Sequence, residues 1–203
     1  MPAQPAYVFD VSGGHLALDF VNTLSNRRSP ERQEHLLHYA DLVRWAEQVG
    51  IITRDAARRV MAKAESSPRQ GNEIFRMGFA LREAIYAIFS AVAAGKQPPA
   101  DAVQVLNQAN QELASAVELR PNRKDFQWQW TGDSDDLRQP LFPVIRATLE
   151  LLTSDLLARV RECEADDCGW LFMDHSKNRS RRWCDMKTCG NREKARRFYQ
   201  RSH

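Results

Sequence analysis

Cys163, Cys168, Cys184 and Cys189 are the four cysteines of this chain, and they fall as two pairs of equal spacing: Cys-x4-Cys, fifteen residues, Cys-x4-Cys. Two thiolate pairs brought together by a short hairpin supply the four soft ligands that tetrahedral zinc prefers. Glycine follows the second cysteine of each pair, at Gly169 and Gly190, where the missing Cβ lets the backbone turn tightly against sulfur. The competing reading is a pair of disulfides. Against it, the opening residues Met-Pro-Ala-Gln-Pro-Ala show no charged stretch followed by an apolar one, so no secretory leader is read and a reducing cytoplasm is the expected compartment. Four thiolates fill a tetrahedral shell and leave no position for water, so one structural zinc per chain is expected rather than a catalytic one. His175 and His203 lie nearby and are not needed as ligands.

Around these cysteines the charge is uneven. The 203-residue chain is only +3 overall, yet from His175 onward ten Lys/Arg face two acids, Asp185 and Glu193, a balance of +8 in 29 residues, which leaves −5 for the remainder. A zinc tetrathiolate adds about −2, so the tail keeps about +6, enough for an electrostatic footprint on a phosphate backbone. Arg181, Arg182 and Arg192 sit closest to the metal and are the first candidates for ordered nucleic-acid contacts. Lys177, Arg179, Lys194, Arg196, Arg197 and Arg201 read as phosphate contacts. Duplex DNA is the expected partner. The alternatives stay open: RNA, with Trp183 stacking on an unpaired base against the plainer reading that it packs over the zinc core, or a protein partner with the finger as a clip. No nucleophile-base-orienter set, glycine-rich phosphate loop or open metal position is present, so no enzyme is expected.

The elements that must carry these residues read as mainly α with small β elements. With 43% apolar residues the chain can bury one good core and leave a small appendage, and no apolar run is long enough to cross a bilayer, so no membrane partner is expected. Tyr7 to Val11 has β character, and Leu16 to Leu24 suits a short buried helix. Helices follow over Tyr39–Val49, from a Thr53 cap to Glu65, and over Asn72–Ala94 with Ile74, Gly78, Leu81, Ile85, Ile88 and Val92 as one stripe. Another runs from Pro98-Pro99 to Ala116 with Val103, Leu106, Ala109 and Leu113 inward, and a last one from Pro140 to about Leu157 with Phe142, Ile145, Leu149, Leu152 and Leu156 on one face. Phe126, Trp128 and Trp130 alternate with glutamines, the period of a strand with one buried face, paired with Val117–Arg120 in a hairpin. Residues 1–158 thus form a helical domain, and 159–203 a knuckle-hairpin-knuckle-helix that resembles a treble-clef finger, with Ala195, Phe198 and Tyr199 packing inward.

Asp19 and Asn22 interrupt an otherwise apolar helix. Three residues apart, they share a face, and a buried carboxylate needs donors or a cation, with Arg27, Arg28 or Arg82 available. Asp19, Asn22, Arg82 and Tyr86 are therefore candidates for a ligand pocket, against the plainer reading that they tie loops together. The effector of such a pocket is not readable.

The run Cys189-Gly190-Asn191-Arg192, preceded by Arg181-Arg182-Trp183-Cys184 and Phe172-x-Asp174, resembles the CGNR zinc-finger family. Gly13-Gly14-His15-Leu16-Ala17-Leu18-Asp19-Phe20-Val21-Asn22-Thr23 is similar to the signature of the ABATE domain that accompanies that finger. Together the two resemblances span nearly the whole chain. They imply a bacterial, stress-linked transcription regulator. The expected division of labour is a helical body that senses a ligand or dimerises and a finger that binds duplex DNA. A homodimer is expected if the DNA site is palindromic.

Overall fold

The computed structural model describes residues 7–201, for Arg201 the backbone alone. Seven α-helices and three two-stranded antiparallel hairpins are present among them. Helix α1 (Leu16–Val21) is capped by His15, whose Nδ1 accepts from the Ala17 N–H, and buries five of its six residues. Strands β1 (Leu24–Ser25) and β2 (Gln33–Glu34) close a short loop, and α2 (Tyr39–Gln48) and α3 (Arg54–Ser66, capped by the Thr53 hydroxyl) follow. The long α4 (Pro68–Ala93) packs against α1, α2, α3 and α5 (Ala100–Ala114). Its 26 residues make a rod of about 39 Å. Then come β3 (Val117–Asn122), β4 (Asp125–Trp130), α6 (Phe142–Leu152), β5 (Val160–Glu162), β6 (Leu171–Met173) and α7 (Asn191–Arg201).

Several expectations change. Tyr7 to Val11 is irregular chain, although Phe9 is buried and exchanges two hydrogen bonds with the Gln48 side chain. Helix α4 starts four residues earlier than its stripe suggested, because Pro68 at the first helical position has its φ already fixed near the helical value. In α5 the buried positions are Ala102, Leu106, Ala109 and Leu113, and Val103 is exposed. Helix α6 stops at Leu152, a 3-10 turn takes Asp155–Arg159, and Leu156 faces solvent. The β3–β4 ribbon forms the expected hairpin but buries no face: Phe126 is 69% and Trp128 45% exposed, and only Trp130 packs against the core.

The finger is not an appendage. Strand β6 reads Leu-Phe-Met, and alternation sends Leu171 and Met173, with Val160 of β5, into the main core beside Phe20, Leu81 and Ile85. Phe172, on the opposite face, joins a second cluster made of the four cysteines and Ala165, flanked by Trp170 and Trp183. One three-residue strand is thus shared between two cores.

Candidate metal centre and nucleic-acid interface

The β5–β6 hairpin carries Cys163 and Cys168 in its connection, and a tight π-type turn at Met186–Gly190 carries Cys189 into α7. All four cysteines are buried, and their sulfurs lie within 4.8 Å of one another. The Sγ atoms of Cys168 and Cys184, and of Cys184 and Cys189, are 3.6 Å apart. That spacing excludes a disulfide, whose sulfurs stand at about 2.05 Å. It matches the edge of about 3.8 Å that four sulfurs 2.3 Å from a tetrahedral centre would have. The donor set fits zinc, and the four thiolates hold one structural ion. Gly169 is required at its turn, with φ at +73° and an added Cβ only 3.2 Å from Arg27 Cβ. Gly190 differs: it has no positive φ, and it sits against the Met186 side chain, which a Cβ would displace.

The body clasps this centre from one side. The backbone N–H groups of Arg27 and Arg28 donate to the carbonyls of Cys168 (2.9 Å) and Asp167 (3.2 Å), and the Arg28 guanidinium reaches the Cys163 carbonyl (3.1 Å) and Glu162 (2.5 Å). The Trp170 indole donates to the Leu24 carbonyl at 3.0 Å. Tyr86 and Ser90 of α4 donate their hydroxyls to Glu162 at 2.9 and 2.7 Å, and burial with the Glu162 charge pushes the Tyr86 phenol up to about 12.

Of the four residues considered for a ligand pocket, Asn22, Asp19 and Tyr86 serve such joints, and Arg82 is bonded within the body. Asn22 acts as a surrogate strand: its Nδ2 donates to the Leu171 carbonyl (2.8 Å) and its Oδ1 accepts the Leu171 N–H (3.0 Å). Asp19 accepts from the Gly13 N–H at 2.8 Å, and Gly13 in turn accepts from the Met173 N–H at 2.8 Å. Burial raises the Asp19 carboxyl to about 6, against the pull of that N–H. Arg82 does not partner Asp19. Its fully buried guanidinium bonds both oxygens of Glu34 at 2.6 Å, with Thr23 at 3.1 Å and Glu83 at 2.9 Å. Arg27 likewise turns to Glu83, at 2.7 Å.

The cationic candidates separate into three kinds. Arg181 is a brace: its guanidinium donates to the carbonyls of Trp183 and Cys184 and lies 4.5 Å over the Phe172 ring, while its backbone N–H binds Asp174. The Phe172-x-Asp174 and Arg181 motifs are therefore parts of one folded turn. Arg182, Arg192 and Arg196 are paired with acids of the first knuckle: Arg182 with Glu164 (2.6 Å), Arg192 with Asp167 (2.8 Å) and Arg196 with Asp166 (3.0 Å). Arg192 also points an N–H at Cys189 Sγ, 3.3 Å away. Lys177, Arg179, Lys194 and Arg197 are exposed and have no ion pair among the described residues, and Lys187, absent from the sequence candidates, shares that condition. The side chain of Arg201 and the whole of His203 lie outside the described residues.

Helix α7 is oriented otherwise than its apolar residues implied. Glu193 and Arg196 face the finger, whereas Ala195 is exposed, and Phe198 and Tyr199 are 68% and 65% exposed. The knuckle acids were the missed signal. Counting only from His175 leaves out Glu162, Glu164, Asp166 and Asp167, and residues 159–203 together hold twelve basic and seven acidic residues, a balance of +5.

A four-thiolate finger sharing a hairpin with a helical body defines a two-part zinc protein, and comparison with known families agrees with that division. Residues 14–155 match the family model ABATE, described as "Putative stress-induced transcription regulator", and residues 159–202 match the CGNR zinc finger. The chain belongs to the ABATE family and carries a CGNR zinc finger at its C-terminal end. A search of curated proteins found no match. No helix among the described residues is long and apolar enough to cross a membrane.

Proposed function

We propose that this chain is a transcription regulator that holds duplex DNA through its finger, with Lys177, Arg179, Lys187, Lys194 and Arg197 meeting the phosphates. The observation that carries the reading is that these five cations stand exposed without acidic partners among the described residues, while the arginines nearest the zinc are engaged in holding the finger together. Lys194 and Arg197, three residues apart on α7, share one helix face. Arg182, Arg192 and Arg196 would join only by exchanging a knuckle carboxylate for a phosphate. Trp183 packs against the thiolate cluster, which favours a duplex partner over an unpaired base. The body's seam on β5 and β6 would set the finger's orientation, and no catalysis is part of the reading.

The test is selection of genomic duplex fragments by the zinc-loaded full chain at physiological salt, beside a Lys177→Ala/Arg179→Ala/Lys194→Ala/Arg197→Ala variant. A shared motif, lost in the variant, is expected. The variant's slope of log affinity against log salt should be shallower by about 3 to 4, near 0.9 per lost phosphate contact. Duplex binding indifferent to both salt and the four substitutions would refute the proposal.

A further inference from the structure

Trp128 and Trp130 project from one face of β4, since residues two apart in a strand share a side. That face lines a cavity of about 440 Å³, which Phe142 and Arg146 of α6, Ile52 ahead of α3 and Leu16 of α1 also line. The volume lies in the range of about 300–1,000 Å³ typical of small-molecule sites, and the lining has their character: apolar and aromatic with a few polar groups. The Arg146 guanidinium lies 4.1 Å over the Trp128 ring and pairs with Glu150 one helical turn on. A second hollow of about 200 Å³ also has Trp128 and Arg146 in its wall.

Arg146 decides the chemistry. Its side chain is 25% exposed, and of its five N–H donors one is used among the described residues, on Glu150, a carboxylate that also lines the cavity, is 61% exposed and would have to yield to an incoming acid. The remaining fork matches a carboxylate in two-point geometry, in a recess where such a bond is stronger than at an open surface. A cationic ligand would have the exposed Glu150 to answer it but the arginine's charge to repel it, and a neutral ring would leave the free donors unanswered. A two-stranded ribbon is marginal by itself in water, and a ring packed under Trp128 and Trp130 would give this one the apolar backing it lacks.

We infer that this cavity binds a small planar aromatic carboxylate, its ring against Trp128, Trp130 and Phe142 and its acid on Arg146. The site stands at the opposite end of α1 from the Asn22–Leu171 joint, so one buried helix of about 9 Å touches both the cavity and the finger.

Calorimetric titration of the zinc-loaded full chain with 2-naphthoate, 2-naphthylmethanol and 2-naphthylmethylammonium tests this without reference to DNA. Saturable one-to-one binding of the carboxylate is expected. It should weaken at least about tenfold in Arg146→Gln and Trp128→Ala, recover partly in Arg146→Lys, and stay unchanged in Phe126→Ala, which alters the exposed end of the ribbon. Circular dichroism keeps a loss of fold separate from a loss of site, and Arg146→Gln, on a helix, remains decisive if Trp128→Ala unravels the ribbon. No saturable binding, tighter binding of the ammonium or the alcohol, or carboxylate binding indifferent to Arg146→Gln would each overturn the inference. So would a chain that sediments as a dimer and is dissociated by Trp128→Ala, since a second copy would then cover the ribbon.

Discussion

The two hairpins β3–β4 and β5–β6 have the same antiparallel topology and opposite fates. The first pairs six residues on each strand, alternates aromatics with glutamines, and keeps almost all of them exposed. The second pairs three, has no polar alternation in Leu171-Phe172-Met173, and its strand β6 is buried on both faces. Strand pattern therefore reports which side chains share a face, and says nothing of what that face meets. Below β6 lies α1, and above it the zinc cluster; beside the aromatic face of β4 lies a hollow.

If β6 truly joins two cores, breaking the metal site should be felt in the body. Cys184→Ser is expected to abolish zinc binding, with a colorimetric zinc-release assay reading loss of the bound ion, and to lower the thermal transition of the whole chain rather than of the finger alone. Structural zinc contributes on the order of 10 kcal/mol in isolated fingers, so this is the largest effect. A body transition left in place would show that the shared strand does not couple the cores.

The hairpins themselves can be set against each other by truncation. Leu171→Ala removes a fully buried side chain and should cost about 2–5 kcal/mol in denaturant unfolding. Phe126→Ala removes a larger but exposed one and should cost within about 0.5 kcal/mol. Equal costs would mean that the ribbon is buried in solution.

A smaller effect tests the α1 side of the joint by pH. With its carboxyl raised to about 6 in the folded chain from an ordinary value near 3.8, Asp19 binds its proton more tightly folded than unfolded. Its burial is thus without cost below about pH 4, and stability is lost as pH rises to about 6, then stays level. Asp19→Asn should gain on the native chain by about 1–3 kcal/mol between pH 4 and 7, read as the difference between two unfolding series. A constant difference across that window would place the Asp19 carboxyl in water.

Much of this was legible in the residues. Cysteine spacing announced the metal because ligation depends on a few atoms at short sequence separation; helical stripes announced α2, α4 and α5 because burial follows a 3.6-residue period, and the Thr53 cap announced α3. The Phe198 and Tyr199 positions misled, since an apolar side chain on a charged helix has no obligation to be covered, and Glu193 and Arg196 face the knuckle instead. Arg181 carried a signal that spacing could not resolve: proximity to the zinc puts its donors on the carbonyls of the turn.

The sequence by itself determined the ligand set, the family, the helical body and the local excess of positive charge, all of which are properties of types and short spacings. Only the tertiary structure decided which cations face an acid and which face water, that Asn22 meets Leu171 across 149 positions of chain, and that two tryptophans overhang a cavity. Those outcomes depend on distances between segments far apart in the chain, and charge pairing and burial are fixed by distance in space.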